Sequence, residues 1–169
     1  MTGPEAVRPA GRAGALIVTL GLAPHPEGGY YREIHRSAAQ VEPADGRGLR
    51  AGLTTIYFLL VAGEASRWHR VQSDETWHFH EGAPLDLWEA DPGFARVERH
   101  RLGPLEGPAQ PVRVIAAGAW QAARGTGQYT LVGCSVGPGF DFTDFALLRD
   151  DPAAVERVRT ARPELLDLV

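Results

Sequence analysis

The stretch GEASRWHRVQSDETWHFHEG (Gly63–Gly82) crowds His69, Glu75, His78 and His80 into one short span. Imidazole and carboxyl groups are the side chains that ligate divalent metals or move protons near neutral pH. From their types and spacing alone, these four can be metal ligands, acid–base groups or polar residues on a sheet.

A second stretch, PHPEGGYYRE (Pro24–Glu33), is dense in glycine, aromatic rings and charge. Glu27 and Arg32 are expected to close a pocket and hold a polar ligand, since arginine pairs two-point with carboxylate or phosphate. A salt bridge at the rim is the alternative. Gly28–Gly29 lets the backbone approach a ligand, or simply turns the chain. His25 and His35 are expected at the surface. Cys134 lies in the apolar run YTLVGCSV, with nothing adjacent to lower its pKa, and reads as a buried, inert thiol. Ser66 and Ser73 have no base at diagnostic spacing, so a serine nucleophile is not supported.

These residues need a scaffold, and the composition points to one kind. The formal charge of −4 leaves no basic footprint for nucleic acid. RVERHRLG (Arg96–Gly103) reads as a solvated strand face. A single cysteine excludes an internal disulfide and fits a reducing compartment. No apolar run approaches the roughly 18 residues of a membrane span, and the first residues carry no convincing leader, so a cytoplasmic protein is expected. Twenty glycines and thirteen prolines separate short apolar runs at intervals of about ten residues, the pattern of an all-β domain. YYREIHRS and LTTIYFLLVA (Leu53–Ala62) head a series of about ten strands. AGALIVTLGL (Ala13–Leu22) reads as a short helix. The tail after Asp151 has apolar residues at helical spacing, with Asp151 as N-cap and Pro152 at the first helical position. Core packing is the first expectation for Trp68, Trp77, Trp88 and Trp120.

Gly63, His69, Glu75 and Gly82 stand at the spacing G-x5-H-x-H-x3-E-x6-G, with Val71 replacing the second histidine. This resembles the first motif of the cupin superfamily. AAGAWQ (Ala116–Gln121) resembles the second, P-x-G-x2-H, with Gly118 kept and Gln121 in place of histidine. LGLAPHPEGGYYREIHRS, TTIYFLL, WHRVQSDETWHFHEGAPL and LVGCSVGPGFDFTDFAL are similar to a family of small single-domain cupins across Leu20 to Leu148. The resemblance implies a double-stranded β-helix (a jelly roll, or cupin barrel) with short N-terminal and C-terminal helices. It implies one domain over residues 1–169, with its core at about 20–148 and a helical tail at 151–169. It further implies a small-molecule pocket at the barrel mouth and a homodimer.

Carried onto this chain, the motif points His69 and Glu75 inward. Alternation then places Arg67 and Val71 with His69, and Trp77 and Phe79 with Glu75. His78 and His80 fall on the outer face, at a dimer contact, unless a bulge exchanges the two sets. Two chemistries remain open. His69, Glu75 and Gln121 can hold Fe, Mn, Ni or Zn as a weak three-ligand site, giving a metal-dependent, oxygenase-like enzyme. Alternatively no metal is needed. His69 then removes a proton next to a carbonyl, as in the nucleotide-sugar 3,5-epimerases, Glu75 orients it, and Tyr30 or Tyr57 serves the other face. That reading is an isomerase, epimerase or lyase acting on a sugar-like or carboxylated metabolite, with Phe140 and Gln121 among the ligand contacts. A non-catalytic binding or storage protein is the third reading.

Overall fold

Glycine and proline break the apolar runs into thirteen strands among the residues described by the computed structural model, 9–169. Residues 1–8, part of the stretch read above for a leader, lie outside the described residues. The strands are β1 (Ala23–Pro24), β2 (Tyr30–Arg36), β3 (Gln40–Val41), β4 (Arg50–Ala51), β5 (Thr54–Val61), β6 (Ala65–Val71) and β7 (Asp74–Gly82). They continue with β8 (Leu85–Ala90), β9 (Val97–Leu102), β10 (Val112–Ile115), β11 (Trp120–Gly125), β12 (Tyr129–Gly137) and β13 (Phe145–Leu147). One sheet runs β1-β2-β5-β12-β7-β10, and the facing sheet runs β13-β6-β11-β8-β9. A small β3-β4 pair stands apart. Strands distant in sequence lie side by side, as β5, β12 and β7 do, and the pairings are antiparallel. This is the all-β jelly roll, or double-stranded β-helix, with a short helix towards each end.

Three apolar clusters hold it together. Between the sheets pack Phe58, Leu60, Trp77, Leu85, Leu87 and Ile115, all at most 1 % exposed. Outside the five-stranded sheet, Trp68, Phe94, Trp120 and Leu148 meet Ala154, Val158, Leu165 and Leu168 of the tail. The tail is helix α2 (Pro152–Ala161) followed by a 3-10 turn (Pro163–Leu168), and the Asp151 carboxylate accepts the Ala154 amide at its start. Against the six-stranded sheet, Leu16 and Ile17 of helix α1 (Gly11–Leu20) cover Leu59 and Leu131. α1 stops because Gly21 takes a left-handed conformation, φ 63°. Strands β5 and β12 are thus covered on both faces over much of their length, which is why both read as continuous apolar runs.

Three departures from strict alternation decide which side chains reach the barrel interior. In β6, Gln121 pairs with His69 but Ala123 pairs with Ser66, so the strand carries an extra residue at Arg67–Trp68. In β7, His80 is extra, between Phe79 opposite Val132 and Glu81 opposite Leu131. In β2, a residue is added between Glu33 and His35.

Candidate functional site

A cavity of about 320 Å³ opens between the sheets at one end of the barrel. That is at the small end of the roughly 300–1,000 Å³ typical of small-ligand sites. Four strands supply buried polar groups to it: Thr54 from β5, His69 from β6, Glu75 from β7 and Cys134 from β12. Tyr31, Glu33 and Arg36 of β2 line one side, and Phe140, Phe142 and Phe145 form an aromatic rim. His25 and Glu27 enter from the loop before β2.

That loop is a tight turn whose glycines are sterically required. Gly28 sits at φ 108°, and a Cβ there would lie 2.2 Å from the Ala65 carbonyl oxygen. Gly29 sits at φ 70°, with the Leu59 carbonyl oxygen 2.8 Å from the same imagined atom. The close approach lets the Arg67 amide donate to the Glu27 carbonyl at 2.9 Å. It also drops the Glu27 side chain beside β6. There Ser66 Oγ donates to Glu27 Oε1 at 2.7 Å, and Glu27 Oε2 stands 3.3 Å from His69 Nε2 and 3.4 Å from His25 Nδ1.

Glu75 is held differently. Its Oε2 accepts Gln121 Nε2 at 2.6 Å, and Gln121 Oε1 accepts the Trp77 indole N–H at 2.9 Å. The Cys134 thiol lines the same cavity and also favours the ionised form of Glu75. Because an indole N–H can only donate, it fixes the Gln121 amide with its nitrogen towards Glu75.

Burial dominates the proton affinities. It pushes Glu27 up to about 7, against the opposing pulls of His25 and the Ser66 hydroxyl. Burial also raises Glu75, with His69, the Gln121 hydrogen bond and the Cys134 thiol acting in the opposite sense. His69 is lowered by burial, with Glu75 and the Arg67 carbonyl counteracting. His25 is lowered by burial as well, and the Cys134 thiol is pushed well up, which makes it a poor nucleophile.

Of the residues singled out from sequence, His69, Glu75, Glu27 and Phe140 line this cavity. The others do not. Tyr30 and Tyr57 point outward and pack in the α1 cluster, Tyr57 also edge-on to His80. Tyr31, one position on from Tyr30, faces the cavity instead. Arg32 is outward too, donating to the Leu20 carbonyl at 3.0 Å. The β6 bulge removes Arg67 from the face of His69, and it reaches the Val169 carbonyl at 3.1 Å. Trp77 and Phe79 face the interior but pack in the core instead of lining the cavity. Gln121 is fully buried behind Glu75. His78 and His80 stand on the outer face, the His80 ring lying over Gly133. His25, expected at the surface, lines the cavity, as do the unforeseen Glu33, Arg36, Phe142 and Phe145. Sequence did carry a signal for Tyr31 and Glu33, since both alternate with the outward Arg32; Arg36 follows only once the β2 bulge is known.

The expected metal set does not fit these residues. The Gln121 oxygen is committed to Trp77 and its nitrogen to Glu75. His69 Nδ1 is committed to the Arg67 carbonyl at 2.8 Å. Only His69 Nε2 and Glu75 would remain as donors. A separate grouping, Glu89, Glu98 and His100, has ligand atoms within 4.8 Å of one another. Arg113 lies 3.3 Å from Glu89, so this grouping reads as an ion-pair network joining β8 and β9 to β10.

Residues 14–148 match the family model described as "Cupin superfamily (DUF985)". A hypothetical protein from Leishmania major is 33 % identical, with TM-score 0.80, over 94 % of this chain and 97 % of its own. A protein from Shewanella oneidensis is 32 % identical, with TM-score 0.79, over 95 % of this chain and 96 % of its own. Oxalate decarboxylase from Bacillus subtilis, 15 % identical with TM-score 0.57 over 86 % of this chain and 36 % of its own, shares the fold. No curated protein matches the chain.

Proposed function

We propose a proton-transfer function for this chain, which belongs to the Cupin_5 family of the cupin superfamily. Its cavity takes one small, neutral, sugar-like molecule and moves a proton on a carbon next to a carbonyl, as an isomerase, epimerase or lyase does. The observation that carries the reading is the convergence of Glu27, His69 and Glu75 in one cavity, each less than 9 % exposed. Such groups exchange protons with a bound molecule while bulk water is held off. A C–H bond breaks as the proton passes to a base, and the proton returns to the opposite face or the neighbouring carbon. In the lyase variant a leaving group departs from the adjacent carbon instead.

Charge argues for the neutral half of the substrate expectation. Glu27, Glu33, Glu75 and Asp141 line the cavity with one guanidinium, Arg36, which is bound two-point by Glu33 at 2.9 and 2.7 Å. A carboxylated ligand would meet no free cation among the described lining residues. A polyol would find acceptors below and the Phe140, Phe142 and Phe145 rings around it. The chain contains no lysine, all seventeen of its Lys/Arg residues being arginine, so no side-chain amine is present for Schiff-base chemistry.

The test is hydrogen exchange. Aldoses, ketoses and sugar nucleotides that raise the melting temperature are incubated with protein in deuterated water and examined by NMR. Deuterium should enter one carbon-bound position, and His69→Ala should slow this by roughly 100-fold or more. Binding without exchange in every stabilising compound would replace this reading with that of a non-catalytic binding protein. We also propose that the chain pairs as a homodimer through the outer face of the six-stranded sheet. Support comes from Val112 and Val114, 44 % and 51 % exposed, beside His78 on that face. Sedimentation of wild type against Val114→Glu tests it: a Val114→Glu protein no lighter than wild type would rule this face out.

A further inference from the structure

The hydrogen bonds around Glu27 fix which atoms carry protons. His69 Nδ1 lies 2.8 Å from the Arg67 carbonyl oxygen, which can only accept, so Nδ1 bears the hydrogen. A neutral His69 therefore turns a bare Nε2 lone pair towards Glu27 Oε2, 3.3 Å away. On the other side, the Glu27 backbone N–H donates to His25 Nδ1 at 3.3 Å, so that nitrogen is also a lone pair. It lies 3.4 Å from the same Oε2. The remaining oxygen, Oε1, is already served by Ser66. An ionised Glu27 would thus set its Oε2 against two imidazole nitrogens in a largely buried place, with neither ring supplying it a hydrogen. Unpaired acceptors so buried are strongly disfavoured.

We infer that Glu27 is the resident acid of this cavity, carrying a proton on Oε2 that it directs to His69 Nε2, with His25 Nδ1 alongside. This deepens the proton-transfer reading by assigning the donor, and it rests on that reading for its catalytic meaning. The groups facing the triad support the division of labour. Glu75 Oε2 already accepts from Gln121, so its carboxylate form has a donor at the oxygen turned to that side, whereas Glu27 Oε2 has none from its two imidazole neighbours. Tyr31 stacks edge-on to His25 at 4.5 Å, and Phe145 lies 5.6 Å from the His69 ring, so the triad's other neighbours are apolar faces. Glu27 then gives its proton to a developing oxyanion or carbanion, and Glu75 or neutral His69 removes one. The count balances: one proton leaves Glu27, one enters the base, and the next turnover starts once the triad regains its own.

The experiment uses the free protein, so it can fail independently of any substrate assignment. Histidine ring nitrogens are assigned by NMR in wild type at neutral pH and slightly below. The expected result is His69 neutral with hydrogen on Nδ1 and His25 neutral with hydrogen on Nε2. Infrared difference spectra in deuterated water should show a protonated-carboxyl band that Glu27→Gln abolishes and Glu75→Gln retains. A His69 imidazolium without an acid band would overturn the assignment. So would a band lost with Glu75→Gln and kept with Glu27→Gln. Should either variant fail to fold, the wild-type tautomers decide alone.

Discussion

Replacing Glu27 by glutamine should change how stability depends on pH, and the size of the effect follows from the burial of this one carboxyl. Its proton is held up to about pH 7 in the folded protein against an ordinary value of 4.5. Each pH unit of that gap corresponds to about 1.4 kcal/mol. The native state binds the proton more tightly than the unfolded chain does. Its contribution is therefore complete below about pH 4.5 and is lost as pH rises through about 7. The total is about 3 kcal/mol, an order-of-magnitude figure for so buried a group. Glutamine copies the protonated acid, because its NH2 can donate towards His69 Nε2 while its oxygen accepts from Ser66. Urea denaturation of both proteins, followed by the fluorescence of the four tryptophans, supplies the comparison. The variant should gain on wild type by about 3 kcal/mol between about pH 4.5 and about pH 8, and then level off. His25 and His69, both lowered by burial, destabilise the native state as pH falls below 6.5. They do so in both proteins and largely cancel in the difference. A flat difference, or one in which wild type gains with rising pH, would refute the account of Glu27.

Gly28→Ala should cost about 3 kcal/mol or more, from a left-handed backbone and a Cβ driven into the Ala65 carbonyl, read as a lowered urea midpoint. Gln121→Leu strands the Trp77 indole N–H and removes a donor from Glu75, so about 2–4 kcal/mol of stability should be lost on denaturation. Cys134 should resist iodoacetamide in the native protein and react once denaturant opens the barrel, because it is 2 % exposed and its thiol is pushed well up. Arg32→Ala and Arg67→Ala should leave ligand-induced thermal shifts unchanged, since both guanidinium groups are engaged outside the cavity.

Much of the barrel was legible in the sequence, because short apolar runs between glycines and prolines have few ways to bury themselves. The tail helix followed from Asp151 and Pro152, and α1 from its apolar run. Part of the site was legible too: His69, Glu75 and Glu27 stand where the motif and the glycine-rich turn suggested. What failed was parity. Alternation counted back from His69 reaches Arg67, yet the inserted residue in β6 turns Ser66 inward and Arg67 out. Parity counted forward from Glu75 held for Trp77 and Phe79. It could not say that those rings sit below the cavity floor, because depth along the barrel axis is set by the facing sheet. His25 escaped notice because its position depends on how a five-residue turn docks on β6, a contact between segments about forty residues apart. The Gln121 amide was weighed as a metal donor, and only the position of the Trp77 indole shows that both its ends are taken.

The extra residue in β6 has a further consequence. Ser66, Arg67, Trp68 and His69 serve four different neighbourhoods in succession: the acid, the chain terminus, the packing beneath the tail, and the ligand chamber. Such a tetrapeptide is not modular. Grafting a foreign β6, or deleting one position from it, would rewire all four neighbourhoods together, so this segment and the glycine turn that docks on it are constrained to change as one unit.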